Sequence, residues 1–305
     1  MLAWLRLVRL PNLATAAADS LAGYLVVSRL TTLDWPPAAC GLAVLASLAF
    51  YAAGMVLNDV YDVAIDRDER PERPLPRGAI PVRRAAVVGN LLLAAGAAAA
   101  CGAAVAANSP WPAFVGAALT LAIWLYDRHA KATGAGPAVM GACRGLNWLL
   151  GMTAAGGPAL PNQWAIPLGM SLYVAGITLF ARDEAASSRR ATLGVATVVM
   201  AAGLAVAAGF VWLPLLDGVS RTATLPAPTW LACWALLGGA VLARAAQAIA
   251  NPAPTAVRSA VGNAIMAIIT LDAVLVLAAC GERWAIAVIG LLVWFVLGRR
   301  LVPPT

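Results

Sequence analysis

The sequence predicts an all-α integral membrane protein, a multi-pass bundle of nine to ten transmembrane helices, and three observations carry that expectation. First, mean hydropathy is +0.81, and 62% of the 305 residues are hydrophobic against 11% charged, a balance foreign to soluble domains. Second, apolar runs near the length that crosses a bilayer recur along the whole chain, so 1–305 reads as a single transmembrane domain. Third, most of the 21 lysines and arginines lie between those runs or at their ends, and unevenly. With the N-terminus inside and ten spans, all but Arg29, Arg221 and Arg283 fall on the inner side. The positive-inside rule therefore places both termini and the acidic loops on the cytoplasmic face of the cell membrane.

The first run, 8–28, follows Arg6 and Arg9 and is long enough to be a retained span, not a cleavable leader. The second, 37–57, ends at the most charged stretch of the chain, NDVYDVAIDRDERPERPLPRG. The third, 84–106, is rich in Ala and Gly, which suits close helix packing. Runs 111–126 and 284–298 are the shortest, and at that length a re-entrant or interfacial segment is the alternative to a span. Run 137–155 holds Arg144 and Asn147 three residues apart, where polar groups are costly unless they face protein or a cavity. Run 164–181 leads into LFARDEAASSRR, and 191–214, 228–249 and 258–279 complete the set, the last with Asp272 inside it.

Net charge +7 does not point to nucleic acid, because the basic residues flank apolar spans and no basic-aromatic module is present. The five cysteines, Cys40, Cys101, Cys143, Cys233 and Cys280, lie in apolar segments without C-x-x-C spacing and read as small packing residues. His129, the only histidine, has no partner at metal-ligand spacing and reads as solvated loop.

The charged stretch carries the chemistry. Asp59, Asp62 and Asp66 are spaced i, i+3, i+7, so a continuing helix turns all three to one side. Carboxylates so placed repel one another unless a cation lies between them, and an oxygen-only set suits Mg²⁺, which completes its shell with water and substrate phosphate. Pro71, Pro74 and Pro76 stop the helix, and Arg70, Arg73 and Arg77 alternate with them in what reads as a stiff extended loop. Arginine meets phosphate oxygens bidentately and stays charged. Acid triplet, metal and arginine loop together describe a diphosphate clamp at a membrane surface. A solvated loop would explain the arginines but not three aspartates in register.

NDVYDVAID resembles the N-D-x-x-D-x-x-x-D signature of the UbiA superfamily of intramembrane prenyltransferases, and RPERPLPRG resembles the R-P-x-R-P-x-x-x-G that follows it. RLVRLPN, with Arg9 and Asn12, is similar to the family's entry into its first helix. YDRHAK, with Tyr126 and Lys131, is similar to its loop after the fourth. The resemblance implies a UbiA-like bundle around a membrane-embedded cavity, with two acidic motifs holding Mg²⁺ and an isoprenyl diphosphate that Asn58 and Lys131 would help bind. The second motif departs from the family pattern: Phe180-Ala181 is followed by Arg182, then Glu184 and, four residues on, Ser188 in place of a carboxylate. Glu184 is the expected metal ligand there, with Asp183 turned away, and the departure resembles a divergent, EboC-like subgroup.

Prenyl transfer to a small aromatic or lipophilic acceptor is the activity these features imply, with Arg144 and Asn147 lining the site. An intramembrane terpene cyclase would use the same parts without an acceptor. Asn12, Asp19 and Asp272 could meet near the midplane, as intramembrane carboxylates do in a cation-coupled transporter, which stays open as a third reading.

Overall fold

A computed structural model describes residues 2–30, 37–182, 189–216 and 225–302. Among these the chain is helical throughout. The elements are α1 (Leu2–Leu7), α2 (Leu13–Ser28), α3 (Ala38–Tyr61), α4 (Val63–Glu69), α5 (Val82–Ala106) and α6 (Trp111–Arg128). They continue with α7 (Gly136–Ala154), α8 (Pro161–Ala181), α9 (Arg190–Leu216), α10 (Ala227–Ala250), α11 (Pro254–Cys280) and α12 (Glu282–Leu301).

Each predicted apolar run becomes one helix, but the count of nine to ten spans is only approximate. Seven described helices are long and apolar enough to cross a membrane: α3, α5, α8, α9, α10, α11 and α12. The others, α2, α6 and α7, have 16, 18 and 19 residues. The first run also starts later than expected. Arg9 takes left-handed angles at φ 50° and Pro11 opens a single 3-10 turn, so α2 begins at Leu13. The left-handed angles at Arg9 break the helical path, and Pro11, which has no amide donor, cannot bond back across that break.

Two cores share a spine. Buried side chains of α2, α7, α8, α9, α10, α11 and α12 form one core, including Trp148, Tyr173, Phe210 and Trp230. A second joins α3, α5 and α6 to the other sides of α2 and α7 through Phe50, Leu119 and Leu150. Small residues let the spine close: a Cβ on Gly151 of α7 would lie 1.9 Å from the Ser20 carbonyl oxygen of α2. The pair α8 and α9 is equally close, since a Cβ on Gly203 would meet the Tyr173 amide nitrogen at 2.4 Å. Such close backbone approach is how helices associate where lipid removes the hydrophobic drive.

Side chains add polar ties between helices. Ser47 Oγ donates to the Ala16 carbonyl at 2.8 Å, and Tyr173 Oη to the Ala264 carbonyl at 2.9 Å. Outward-facing residues such as Leu91, Leu121, Val198, Leu236 and Ile286 are exposed, as expected of a surface whose solvent is acyl chain.

Candidate active site

The acidic stretch is laid out by a helix that nearly continues. α3 ends at Tyr61 and Asp62 caps it at φ −90°, ψ −2°, after which α4 resumes at Val63. The amides of Asp62 and Asp66 still donate to the carbonyls of Asn58 and Asp62, at 3.0 and 2.8 Å, so the turn is tightened but not lost. Asp59 and Asp66 are buried, while Asp62 is partly exposed. Among the described residues no three His, Cys, Asp or Glu side chains form a ready-made metal cage. Each aspartate is instead matched with a cation.

Arg73 is the centre of that matching. Its guanidinium is buried and lies 2.7 Å from Asp66 Oδ2 and 3.5 Å from Asp59 Oδ1, with Arg9 Nη2 3.7 Å from Asp59 Oδ1 on the other side. Lys131 Nζ lies 2.6 Å from Asp62 Oδ1 and donates to the Asn58 carbonyl at 3.4 Å.

The loop that carries Arg73 corrects the expectation of an extended segment. It coils through turns, with the amides of Arg73 and Arg77 bonded to the carbonyls of Arg70 and Arg73, and Ala79 reaching back to Pro74. Leu75 and Ile80 are the cause: they pack with Leu7, Val56 and Ala85 in a small core of their own, which folds the loop back against α3 and α5.

Beside these pairs is a cleft of about 380 Å³ lined by charges of both signs. Asn58, Asp62, Asp66 and Glu69 line it, and Arg9, Arg70, Arg73, Lys131 and Arg182 contribute cations. Five cations against three carboxylates leave the described wall positive, as an anionic ligand requires. Asp59 does not line the cleft and sits behind it against Arg73 and Arg9. Arg77 is exposed and outside the lining. Asn12 is also outside: its carbonyl accepts a bond from Thr15 Oγ1 at 2.8 Å at the start of α2. Asp183, Glu184 and Ser188 lie outside the described residues.

A second cavity, about 100 Å³, lies beside the cleft among α2, α3, α6, α7 and α8. Tyr126 lines both. Along α3 the residues Ser47, Tyr51 and Gly54 face this cavity and Asn58 and Asp62 face the cleft, at spacings of three and four that make one stripe. Phe50, Leu119, Ile123, Met140 and Val174 make the cavity apolar.

Arg144 and Asn147 line this cavity, and both are tied back. Arg144 pairs with the fully buried Asp19 and donates to the Thr15 carbonyl at 3.3 Å. Asn147 donates to Asp19 at 2.9 Å and to the Ala16 carbonyl at 3.0 Å. Asp272 of α11 lies beside Asp19, so two of the three residues proposed to meet do so, without Asn12.

Sequence reading missed Asp127. It follows Tyr126 beyond the apolar run, is 3% exposed, and accepts a bond from Asn58 Nδ2 at 3.2 Å through Oδ1. Its Oδ2 is buried and has no partner among the described residues. Burial pushes its carboxyl up to about 7, offset in part by the Asn58 bond and the Lys131 charge and reinforced by Asp62 and Asp59. The signal was an acid directly after the apolar run, where positive-inside reasoning expects only bases.

The family model described as the UbiA prenyltransferase family matches residues 20–271. A digeranylgeranylglyceryl phosphate synthase from Metallosphaera sedula is 36% identical over 132 residues, which cover 43% of this chain and 43% of that protein. One of the same name from Halobacterium salinarum is 35% identical over 185 residues, 57% of this chain and 62% of that one. The chain thus spans about half the length of these curated relatives. The structure of a UbiA homologue from Archaeoglobus fulgidus bound to GPP and Mg²⁺ superposes with a TM-score of 0.60 at 16% identity. That superposition covers 87% of this chain and 99% of the homologue, and it shows a shared fold.

Proposed function

The chain belongs to the UbiA prenyltransferase family, and from that premise we propose that it transfers an isoprenyl group from a prenyl diphosphate to a small lipophilic acceptor. The observation that carries this is one stripe of α3 running from an apolar cavity into a cleft lined by charges of both signs. A molecule with an apolar tail and a diphosphate head matches that change of lining.

The donor set of the cleft fits Mg²⁺. Asp62 and Asp66 supply hard oxygens on its wall, now paired with Lys131 and Arg73, and Asp59 lies directly behind. Asp62 and Asp66 would hold the ion from the cleft wall, with Asp59 reaching it only if Arg73 and Arg9 give way, and with Glu184 as a proposed ligand from the second motif. When bound, Mg²⁺ supplies Lewis-acid stabilisation of the departing diphosphate. Arg73, freed from Asp66, and Arg9, Arg70, Lys131 and Arg182 would hold the diphosphate oxygens and stabilise the charge that develops on them. Asn58 positions the head from α3, and Tyr126 stands where head and tail meet. The apolar walls hold the tail and exclude water that would otherwise quench an allylic cation.

The cleft opens to the cytoplasmic side in this reading, because the basic residues of the intervening loops cluster there. The acceptor is taken as lipophilic because the cavity beside the cleft is apolar. The two relatives are named for a glyceryl phosphate lipid, which favours an acceptor of that kind over a polar one. The test is diphosphate release from geranyl and geranylgeranyl diphosphate by purified protein, with Mg²⁺, with and without a lipophilic acceptor. Release that depends on the acceptor supports the transferase. Release without one supports a cyclase. No release, with cation-driven substrate flux in proteoliposomes, supports a transporter.

A further inference from the structure

We infer that Asp127 is the general base of the transfer and that the acceptor therefore presents a hydroxyl group. The inference rests on the prenyl-transfer reading and adds a residue and a substrate class to it. Three features single Asp127 out. Its position is the first: it lines the apolar cavity next to Tyr126 and is bonded to Asn58 on the wall of the diphosphate cleft. A prenyl diphosphate with its head in the cleft and its tail in the cavity has C1 at that junction, and a nucleophile must reach C1 there.

Its freedom is the second. Asp59, Asp62 and Asp66 face Arg73, Arg9 and Lys131, and Asp19 faces Arg144. Among the described residues Asp127 has no ion pair at such distance, and its buried Oδ2 has no hydrogen-bond partner. A buried carboxylate oxygen is costly to leave bare, so an acceptor hydroxyl that donates to it is bound as well as activated. The third feature is the surrounding charge. Lys131 from the turn after α6 favours the carboxylate, Asp62 and Asp59 from α3 oppose it, and Cys143 from α7 lies nearby. The balance puts the group where it exchanges protons near neutral pH.

The step balances with these parts. As the C1–O bond to diphosphate breaks and its electron pair leaves with the diphosphate, a lone pair of the acceptor oxygen forms the new C1–O bond. The acceptor's O–H proton passes to Asp127 Oδ2, and later to water. An aromatic ring carbon attacking C1 would lose its proton only afterwards and would not need a base beside the nucleophile at the moment of attack.

The experiment uses wild-type protein, Asp127→Asn and Asp127→Glu with geranylgeranyl diphosphate as donor and geranylgeranylglyceryl phosphate as the hydroxyl-bearing acceptor, scored for ether product across pH 5.5 to 8.5. Asparagine keeps an oxygen that can accept the Asn58 bond but cannot take a proton. The expected result is a loss of kcat of about 100-fold or more in Asp127→Asn, in the range of general-base removal, with KM for the donor unchanged. In wild type the rate should rise with pH and level off above about 7, as the carboxylate forms. Asp127→Asn should lose that limb, and Asp127→Glu should recover part of the rate. Wild-type kcat and pH profile in Asp127→Asn overturn the inference alone, as does a raised donor KM with kcat intact, which would make Asp127 only a support for Asn58. Wild-type transfer solely to acceptors without a hydroxyl also overturns it while leaving prenyl transfer standing. Absence of diphosphate release by wild type with every acceptor overturns both.

Discussion

Arg73 and Arg77 are four residues apart in one loop and have the same side chain, yet their surroundings are opposite. Arg73 is buried between Asp66 and Asp59, and Arg77 is exposed away from the cleft. Removing one partner of a buried ion pair leaves the other charge uncompensated, at about 3–5 kcal/mol. Arg73→Ala should therefore lower the thermal unfolding midpoint markedly and abolish turnover. Arg77→Ala, on a surface without special contacts, should stay within about 0.5 kcal/mol of wild type and keep its activity. Paired thermal-unfolding and diphosphate-release assays check both. Sequence identified the residue types of the site, because aspartates in helical register and arginines between prolines need only spacing to be seen. It could not rank them, since burial of Arg73 is decided by Leu75 and Ile80 packing under the loop. Asp127 was passed over for the same reason: its significance comes from Asn58, which is 69 residues away in sequence.

At the level of elements, apolar periodicity was enough to find every long helix, because a span must satisfy its own backbone and is therefore continuous and apolar. Interruptions were harder to see. The break at Arg9 and Pro11 and the tightened step at Asp62 depend on two or three residues each, and both shape the cleft. Packing of α2 against α7 also sets the site, since these helices hold Asp19, Arg144 and Asn147 together. Gly151 stands at that crossing, where an added Cβ would fall 1.9 Å from the Ser20 carbonyl oxygen, whereas a Cβ on Gly194 of α9 meets nothing within 4 Å. Gly151→Val should sharply reduce the yield of monodisperse protein. Gly194→Ala should be tolerated or stabilise by a few tenths to about 1 kcal/mol through helix propensity. Size-exclusion profiles and thermal unfolding in detergent distinguish these outcomes.

At the level of the whole molecule, the bundle offers lipid an apolar exterior, with α2 and α7 as the shared spine of two cores. Both termini and the acidic loop should lie on the cytoplasmic side. A cysteine introduced at Arg77 and one introduced at Arg6 should be labelled by an impermeant thiol reagent only after the membrane is opened. Labelling of either from the outside would reverse the orientation. Membrane class and a helical bundle follow from hydropathy and the recurrence of apolar runs, but setting a charged cleft beside an apolar cavity is a tertiary property of α3, α6 and α7 that no local pattern contains. The most direct measurement of what that junction does is Mg²⁺-dependent diphosphate release from geranylgeranyl diphosphate, in the presence of acceptor, by wild type and Asp62→Asn. Asp62 lines the cleft, is partly exposed and among the described residues pairs with Lys131, so its amide should spare the fold and remove a carboxylate from the metal. Wild type should release diphosphate only with Mg²⁺ and acceptor, and a monodisperse Asp62→Asn should fall to background. Equal release by the two proteins, or release that ignores Mg²⁺, would contradict the assignment of this cleft as a metal-assisted diphosphate site.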